Sequence, residues 1–151
     1  MTSAERISAA SVRAVVDHML VHDAFTRWLG AELVEVAIGS CTLRMTVRDE
    51  MVNGFGVAHG GIVYSFADSA MAFACNGGGR VTVALDTSMS YPAAVLVGDQ
   101  LVAVAEEESA TSRLAFYRVV VRKQDDTIVA LFRGTVYRTQ RMHDVTSSEV
   151  K

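Results

Sequence analysis

Asp68 is the residue with the greatest potential for chemistry, because it is an acidic side chain within an otherwise apolar segment from Ile62 to Cys75. Burying an ionised carboxylate without partners is energetically costly. On a helix, Ser65, Asp68 and Ser69 stand at positions i, i+3 and i+4 and would share one stripe. We expect this polar stripe to face a water-containing cleft or a polar partner. A hydrogen-bonded core aspartate is the alternative interpretation of the same pattern.

The tripeptide His59-Gly60-Gly61 precedes this segment, where the predicted helix begins. The first N–H groups of a helix have no partner within the helix and carry partial positive charge, and glycines let a ligand approach the backbone closely. Such a helix start could polarise a carbonyl oxygen in an acyl-transfer reaction. The alternative is a flexible junction between a loop and a helix, because glycine pairs are common.

The spacing of Gly60 and Asp68 limits how the two residues can act together. Eight residues of helix extend about 12 Å, too far for one small carbonyl group to contact both. Either the two residues do not cooperate, or Asp68 of one subunit meets the His-Gly-Gly turn of another. A two-fold dimer with antiparallel helices would create that meeting twice. The spacing therefore suggests an active site between subunits.

Asn53 begins the loop that leads to His59. Asn-Gly is a favoured turn dipeptide, so Asn53-Gly54 is readily explained as a turn. The functional alternative is an amide that orients a water molecule or a carboxylate near His59.

The remaining periodicity predicts an α+β domain that covers residues 1–151. An amphipathic helix is predicted at about 8–21, and a long apolar helix follows the loop of residues 49–58 and ends at three glycines. Five to six antiparallel strands are expected to curl around the long helix. The predicted strands cover residues 33–38, 42–48, 81–91, 99–110, 113–123 and 127–138, and a polar tail covers about 139–151.

Composition excludes several classes of partner. A net charge of −3 does not favour nucleic acid, and an apolar fraction of 50% suggests that some apolar surface is buried between subunits. Cys41 and Cys75 are isolated and suggest reduced thiols in a cytoplasmic protein. The apolar segment is shorter than the roughly 20 residues that span a bilayer. His18, His22 and Asp23 have metal-like spacing without a matching further ligand, so we expect no metal.

The pattern Asn53-x-x-Gly56-x-x-His59-Gly60-Gly61, followed by Asp68 in an apolar helix, resembles the hotdog-fold acyl-CoA thioesterases. The resemblance is closest to the phenylacetate-pathway (hydroxyphenylacetyl-CoA) thioesterase subfamily. It extends over most of the chain. RWLGAELVEVAIGSCTLRMTV resembles the opening hairpin of the family, SMSYPAAVLVGDQLVAVAEE its middle strands and TIVALFRGTVYR its final strand.

The resemblance implies a sheet wrapped around the central helix, dimers with two antiparallel helices, and homotetramers built from two dimers. Asp68 would be the catalytic carboxylate, as nucleophile or general base, and the Gly60 N–H would polarise the thioester carbonyl. His59 would bond near that carbonyl or fix the turn, and Asn53 would hold the water or the carboxylate. No metal or redox cofactor is implied. Substrate contacts are expected from Gly61, Ser65, Ser69, Phe55 and Val57, of which Phe55 and Val57 could instead pack against the partner.

One position departs from some relatives, which carry a serine or threonine on the strand after the helix. Ala84 aligns there, with Thr82, Thr87 and Ser88 close by. Aspartate rather than glutamate at position 68 favours the phenylacetate-type branch over the Arthrobacter-type 4-hydroxybenzoyl-CoA thioesterases. Phenylacetyl-type acyl groups are therefore expected, with medium-chain acyl groups as the alternative.

Two other functions are compatible with a hotdog fold. One is a hotdog enoyl-CoA hydratase, which would need a carboxylate paired with a histidine near the helix start. No carboxylate lies between Glu50 and His59, which argues against it. The other is a module that binds or senses acyl-CoA without turnover, and release of free thiol would distinguish the enzyme from it.

Overall fold

A computed structural model describes residues 8–146. It contains three α-helices, one short 3₁₀ helix and six strands. The helices are α1 (Ala9–His22), α2 (Ala24–Leu29) and α3 (Gly60–Asn76), and the 3₁₀ helix is Asp49–Met51. The strands are β1 (Glu32–Ala37), β2 (Ser40–Thr46), β3 (Arg80–Ser90), β4 (Gln100–Ala110), β5 (Leu114–Lys123) and β6 (Ile128–Met142).

The six strands form one antiparallel sheet in the order β1-β2-β4-β5-β6-β3. Helix α3 lies against this sheet and contacts all six strands. The α+β class and the hotdog architecture are therefore confirmed. Along residues 8–146, no helix has the length and the apolar character that crossing a membrane requires.

Burial of α3 explains its unusual apolar composition. Phe66, Ala67 and Ala70 have no exposed surface, and Met71 has 1%. A helix covered on most sides needs apolar residues around most of its circumference. Gly134 on β6 is part of this fit, because a Cβ atom there would overlap the sulfur of Met71. The helix and the sheet thus pack closely, because the large Met71 side chain lies against a glycine of β6 that has no side chain.

We expect Phe66→Ala to lower the free energy of unfolding by about 3–5 kcal/mol, because a fully buried phenylalanine leaves a cavity when it is truncated. Denaturant unfolding followed by circular dichroism measures the change. Phe66→Leu, which retains most of the apolar volume, should cost less than about 1.5 kcal/mol. Equal stability of wild type and Phe66→Ala would contradict the observed packing of α3.

Strand β6 is longer than the sequence suggests. Residues after Arg138 were expected to form a polar tail from Thr139, but Met142 still pairs with Arg80. The His143 N–H then donates to the Gly79 carbonyl at 2.8 Å. Polar residues at the end of a strand pair resemble a tail in sequence, because nothing apolar marks their pairing. Residues 147–151 of the predicted tail lie outside the described residues.

The N-terminal region contains α2, a helix that the sequence pattern does not predict. Six residues are too few to show helical periodicity. Asp23 caps α2 by accepting a bond from the Thr26 N–H at 2.9 Å, and α2 ends at Gly30 with φ +75°. The end of α3 also differs in detail, because Gly77 is right-handed and Gly79, with φ +86°, takes the left-handed conformation.

The solvent-facing polar residues of the sheet pair with one another. Glu106 bonds Arg118 at 2.8 Å and Glu108 bonds Arg133 at 2.6 Å, as expected for a solvated strand end. Strand β3 is at the border of the sheet and, within residues 8–146, pairs only with β6, so its other backbone edge is open there. Leu85 on this strand is 60% exposed. The sheet therefore ends in an unpaired strand with an apolar side chain.

Candidate active site

Helix α3 begins at Gly60, and His59 is its N-cap residue. The His59 Nδ1 accepts a hydrogen bond from the Gly61 N–H at 2.9 Å, and the His59 carbonyl accepts from the Ile62 N–H at 2.9 Å. A ring nitrogen that accepts carries no proton, so the neutral ring is protonated at Nε2. His59 is exposed, and its Nε2–H is available as a donor.

The Gly60 N–H has no hydrogen-bond partner in the part of the chain from residue 8 to 146. Its neighbours in the first turn, Gly61 and Ile62, both bond His59. One donor at the positive end of a 17-residue helix is therefore free to bind an oxygen. This is the geometry that polarisation of a carbonyl requires.

Tyr91 lies against this helix start and was not predicted. Its hydroxyl donates to the Gly60 carbonyl at 3.0 Å, and a Cβ atom at Gly60 would lie 3.3 Å from the Tyr91 ring. Burial, and to a lesser degree Tyr64, raise the pKa of Tyr91. A signal existed in the sequence. Strand β3 follows α3 after a short turn and runs back along its length, so its last residues must approach the helix start.

An apolar cleft of about 280 Å³ adjoins Gly60. Its walls come from the loop before α3, from the first turn of α3 and from the segment after β3. The lining residues are Val57, Ala58, Gly60, Val63, Tyr91, Pro92, Ala93, Ala94, Val95 and Val129. Val57 thus lines a cleft, whereas the Phe55 side chain is 93% exposed at the tip of the same loop.

Asn53 forms the turn that its sequence suggests. Its Oδ1 accepts from the Phe55 N–H at 2.9 Å, and its backbone N–H donates to the Val57 carbonyl at 2.8 Å. The loop closes through Gly56, whose φ of +77° suits glycine. Asn53 therefore shapes the loop next to His59, and its proposed role towards water or a carboxylate stays a prediction.

Asp68 lies on the open face of α3, which consists of Gly61, Ser65, Asp68 and Ala72 at spacings of four, three and four residues. Most residues on the other sides of the helix are buried, mainly by the sheet and on one flank by α2. Asp68 is half-buried and has no hydrogen bond or ion pair within residues 8–146. Burial raises its pKa, and the negative charge of Asp23 raises it further. The alternative of a hydrogen-bonded core aspartate is therefore not what the chain shows.

The expected stripe of three polar residues is only partly observed. Ser65 lies on the open face with Asp68, and its hydroxyl donates to the Gly61 carbonyl at 2.7 Å. Ser69 is instead buried, and its hydroxyl bonds that of Thr26 at 2.8 Å. Of the two environments expected for the stripe, Ser69 therefore has the polar partner and not the cleft, and its buried position does not support the expected contact with substrate. Adjacent helix positions differ by about 100°, and α2 covers the flank on which Ser69 lies.

Hydroxyls on β3 are already engaged near the helix. The Thr87 hydroxyl bonds the Tyr64 hydroxyl, and the Thr82 hydroxyl donates to the Arg80 carbonyl at 3.0 Å. Ala84, at the position where some relatives carry a serine or threonine, is exposed. In residues 8–146, no three His, Cys, Asp or Glu side chains form a group that could hold a metal ion.

A free amide at a helix start, a histidine donor beside it and an unpaired carboxylate on the same helix are the components of an acyl-transfer site on a hotdog fold. Comparison with known proteins agrees with this class. Residues 55–130, half of the chain, match the family model described as the thioesterase superfamily. This range contains the end of the loop, α3 and the strands β3, β4 and β5.

Individual relatives extend the match to nearly the whole chain. A putative esterase of Archaeoglobus fulgidus is 35% identical over 90% of this chain and 88% of its own length. The acyl-coenzyme A thioesterase PaaI of Escherichia coli is 33% identical over 80% of this chain and 86% of its own. The structure of the E. coli PaaI protein from the phenylacetic acid degradation operon superposes with a TM-score of 0.87, covering 89% of this chain and 97% of that one at 30% identity. The chain belongs to the thioesterase superfamily.

Proposed function

We propose that this enzyme hydrolyses acyl-coenzyme A thioesters to a free acid and coenzyme A, in sites formed between two copies of the chain. The observation that carries the proposal is Asp68 on the open face of α3, a carboxylate whose pKa is raised and which has no hydrogen-bond or ion-pair partner among residues 8–146. The relative named acyl-coenzyme A thioesterase supports the substrate class. The proposal needs no metal or redox cofactor, because a thioester is already activated.

The intersubunit site is supported by three features of the single chain. Gly60 and Asp68 are separated by about 12 Å of helix, so one carbonyl cannot contact both within a chain. The open face of α3 presents small side chains, which allow a second helix to approach. In the described part of the chain the outer backbone edge of β3 is unpaired, and Phe55 is 93% exposed beside the site. A two-fold pairing would cover the open face of α3, the edge of β3 and Phe55, and it would bring Asp68 of one copy to Gly60 of the other.

In the proposed mechanism, the Gly60 N–H binds the thioester carbonyl oxygen and stabilises the negative charge that develops there. Asp68 of the other copy removes a proton from water as the water oxygen attacks the carbonyl carbon. The C–S bond then breaks and the thiolate of coenzyme A leaves. Direct attack by the Asp68 carboxylate, followed by hydrolysis, is the alternative. Both routes require the deprotonated form of Asp68.

His59 and Asn53 support these groups. The Nε2–H of His59 is exposed next to Gly60 and can donate to the same oxygen, and its Nδ1 fixes the first turn through Gly61. Asn53 organises the loop through its Oδ1, and in the proposed site its amide would hold the water or the carboxylate. These two residues orient the reactants, whereas Gly60 and Asp68 act on them.

The apolar cleft beside Gly60 is the proposed seat of the acyl group. Its volume of about 280 Å³ and its walls of Val57, Val63, Tyr91 and Pro92 suit an aromatic ring or a short alkyl chain. The similarity to a protein of the phenylacetic acid degradation operon favours phenylacetyl-type substrates, with medium-chain acyl groups as the competitor. Gly61 and Ser65 lie on the open face, where they would contact the substrate.

Thiol release from a panel of aromatic and aliphatic acyl-CoAs tests the proposed function directly. We expect turnover of at least one class, and the ratio of kcat/KM values identifies the acyl group. Stoichiometric binding of acyl-CoA without thiol release would show a binding module instead. Sedimentation of the same sample distinguishes a dimer from the proposed tetramer of two dimers.

Mixing two inactive variants should restore activity if the site lies between subunits. In a heterodimer of Asp68→Asn and Gly60→Pro chains, one of the two sites contains both defects and the other contains neither. We therefore expect such heterodimers to regain about half of the wild-type activity. As a control, wild type mixed with the double variant yields heterodimers with no intact site. Sites confined to one chain would give no recovery in the first mixture.

A further inference from the structure

Asp23 is at the junction of α1 and α2, and its carboxylate is held by Thr26. One oxygen accepts from the Thr26 N–H at 2.9 Å, and the other accepts from the Thr26 hydroxyl at 2.6 Å. Because the Thr26 hydroxyl donates to Asp23, its oxygen must accept from the Ser69 hydroxyl, which lies 2.8 Å away. The result is a directed chain of hydrogen bonds from Ser69 through Thr26 to Asp23.

This chain is protected from solvent. Thr26 is 1% exposed and Ser69 is 8% exposed. Ser69 directly follows Asp68 on α3, so the contact fixes the helix at the position of its carboxylate. The α1–α2 junction is thereby docked on the flank next to the open face. The hydrogen bonds also determine where the negative charge of Asp23 is placed.

Asp23 is neutralised by no cation in residues 8–146, because neither lysine, arginine nor histidine forms an ion pair with it. Its partners are the neutral donors of Thr26. Uncompensated charge next to a half-buried site acts over a longer range than a charge within an ion pair. The pKa of Asp68 is raised first by burial and then by the charge of Asp23.

Other ionisable groups around α3 act elsewhere. Cys75 lies about two helical turns after Asp68. Its pKa is raised by burial and, to a small extent, by Asp68. Arg13 on α1 acts on Cys41 of β2, and His18 on α1 acts on His143 beyond β6. Further groups on the elements packed against α3 are Glu32 and Glu35 (β1), Arg44 (β2), Arg80 and Asp86 (β3), Glu107 (β4), Tyr117 (β5), Arg138 (β6), Arg27 (α2), Tyr64 and His59. None of these contributes to the shift at Asp68.

We propose that Asp23, anchored through Thr26 and Ser69 to the helix that carries Asp68, is a positioning residue that strengthens Asp68 as a base in thioester hydrolysis. The inference depends on the proposed function only for its kinetic consequence. Two carboxylates near each other disfavour the simultaneous loss of both protons. A base that holds its proton more tightly removes one from water more readily in the transition state. Asp23 thus acts through Asp68 and does not touch the substrate.

Asp23→Asn tests the inference, because it removes the charge and retains the oxygen that accepts from the Thr26 N–H. We expect the acidic limb of the kcat–pH profile to move to lower pH. Relative to its own plateau, the variant should be about two- to five-fold more active on that limb than the wild type. Its plateau kcat should fall by about two- to five-fold because Asp68 becomes a weaker base. Asp17→Asn, which removes an exposed acid of α1, should leave limb and plateau unchanged.

A titration of the Asp68 carboxyl carbon by NMR separates this inference from the proposed function, because it needs no turnover. A lower midpoint in Asp23→Asn than in wild type supports the inference even if no acyl-CoA is hydrolysed. An unchanged midpoint overturns it, whether or not activity falls. Thr26→Ser, which keeps the hydroxyl, should retain the wild-type midpoint. If Asp23→Asn lost stability while the midpoint of the Asp68 titration stayed unchanged, the role of Asp23 would be limited to capping α2.

Discussion

Asp68→Asn will lower kcat for acyl-CoA hydrolysis by about 10²- to 10⁴-fold, the range that a positioned general base contributes. Asparagine keeps the size of the side chain on the open face of α3 and removes its ability to take a proton. KM should change little, because the carboxylate acts on the water and not on the bound acyl group. Thiol release under saturating substrate measures the effect.

The pH dependence of the wild type follows from the same residue. Burial raises the pKa of Asp68, so the active, deprotonated form is lost on acidification at a higher pH than for an exposed aspartate. Deprotonation of Asp68 favours activity but lowers the stability of the folded protein. A carboxyl whose pKa is raised by folding costs stability once the pH exceeds the pKa of the unfolded chain, and the cost is complete above the folded value. Asp68→Asn should therefore melt no lower than wild type at neutral pH.

Asp126→Asn is the matched control, because Asp126 occupies an exposed turn with φ +66°, which asparagine also adopts. It should retain wild-type kcat. Wild-type activity in Asp68→Asn would exclude Asp68 as the base and return it to a structural role. We expect Asp68→Asn to remain folded, because the substitution removes a charge that burial disfavours. If the variant lost both its activity and its folded state, that expectation about burial would be contradicted too.

Gly60→Pro will lower kcat by about 10²- to 10³-fold, which is the loss seen when one donor to a developing oxyanion is removed. Proline lacks the N–H, and the first position of a helix is where proline is best tolerated. His59 has φ −59° and ψ 133°, the extended conformation that a residue before proline prefers. The backbone therefore accepts the substitution without unfolding α3.

Gly60→Ala isolates the N–H from the added side chain. Both variants place a Cβ about 3.3 Å from the Tyr91 ring, so both disturb that contact equally. Alanine keeps the N–H and should retain much more of kcat than proline. Similar losses in both variants would show that the close approach to Tyr91 matters and that the Gly60 amide does not bind the carbonyl. Circular dichroism of each variant checks that the helical content is retained.

Local patterns explain which features could be predicted from sequence. The apolar run with Asp68, the glycines around it and the alternating strands are each set by residues close together in the chain. They fix the α3 helix and the hairpins, whereas the open position of Asp68 was only one of the alternatives that the pattern allowed. The start of α3 at His59 and Gly60 was likewise readable, because capping depends on neighbouring residues.

Features that depend on distant residues were not readable in the same way. Tyr91 reaches Gly60 across 31 positions, and Thr26 reaches Ser69 across 43. Ser69 satisfied the spacing rule for a shared stripe, yet its environment is decided by α2, whose six residues show no periodicity. The extension of β6 to Met142 likewise depends on a partner strand more than 50 residues earlier.

In the proposed two-fold dimer, the edge of β3 that is unpaired within residues 8–146 would affect which subunits pair in a cell that contains several related enzymes. Backbone groups along a strand edge are nearly the same for every sequence. They would therefore pair with a subunit of a related enzyme as readily as with a second copy of this chain. Discrimination must come from side chains that meet only in the correct pair. The close approach that Gly61, Ser65 and Ala72 permit is such a filter, since a bulkier face on a foreign helix would be rejected sterically.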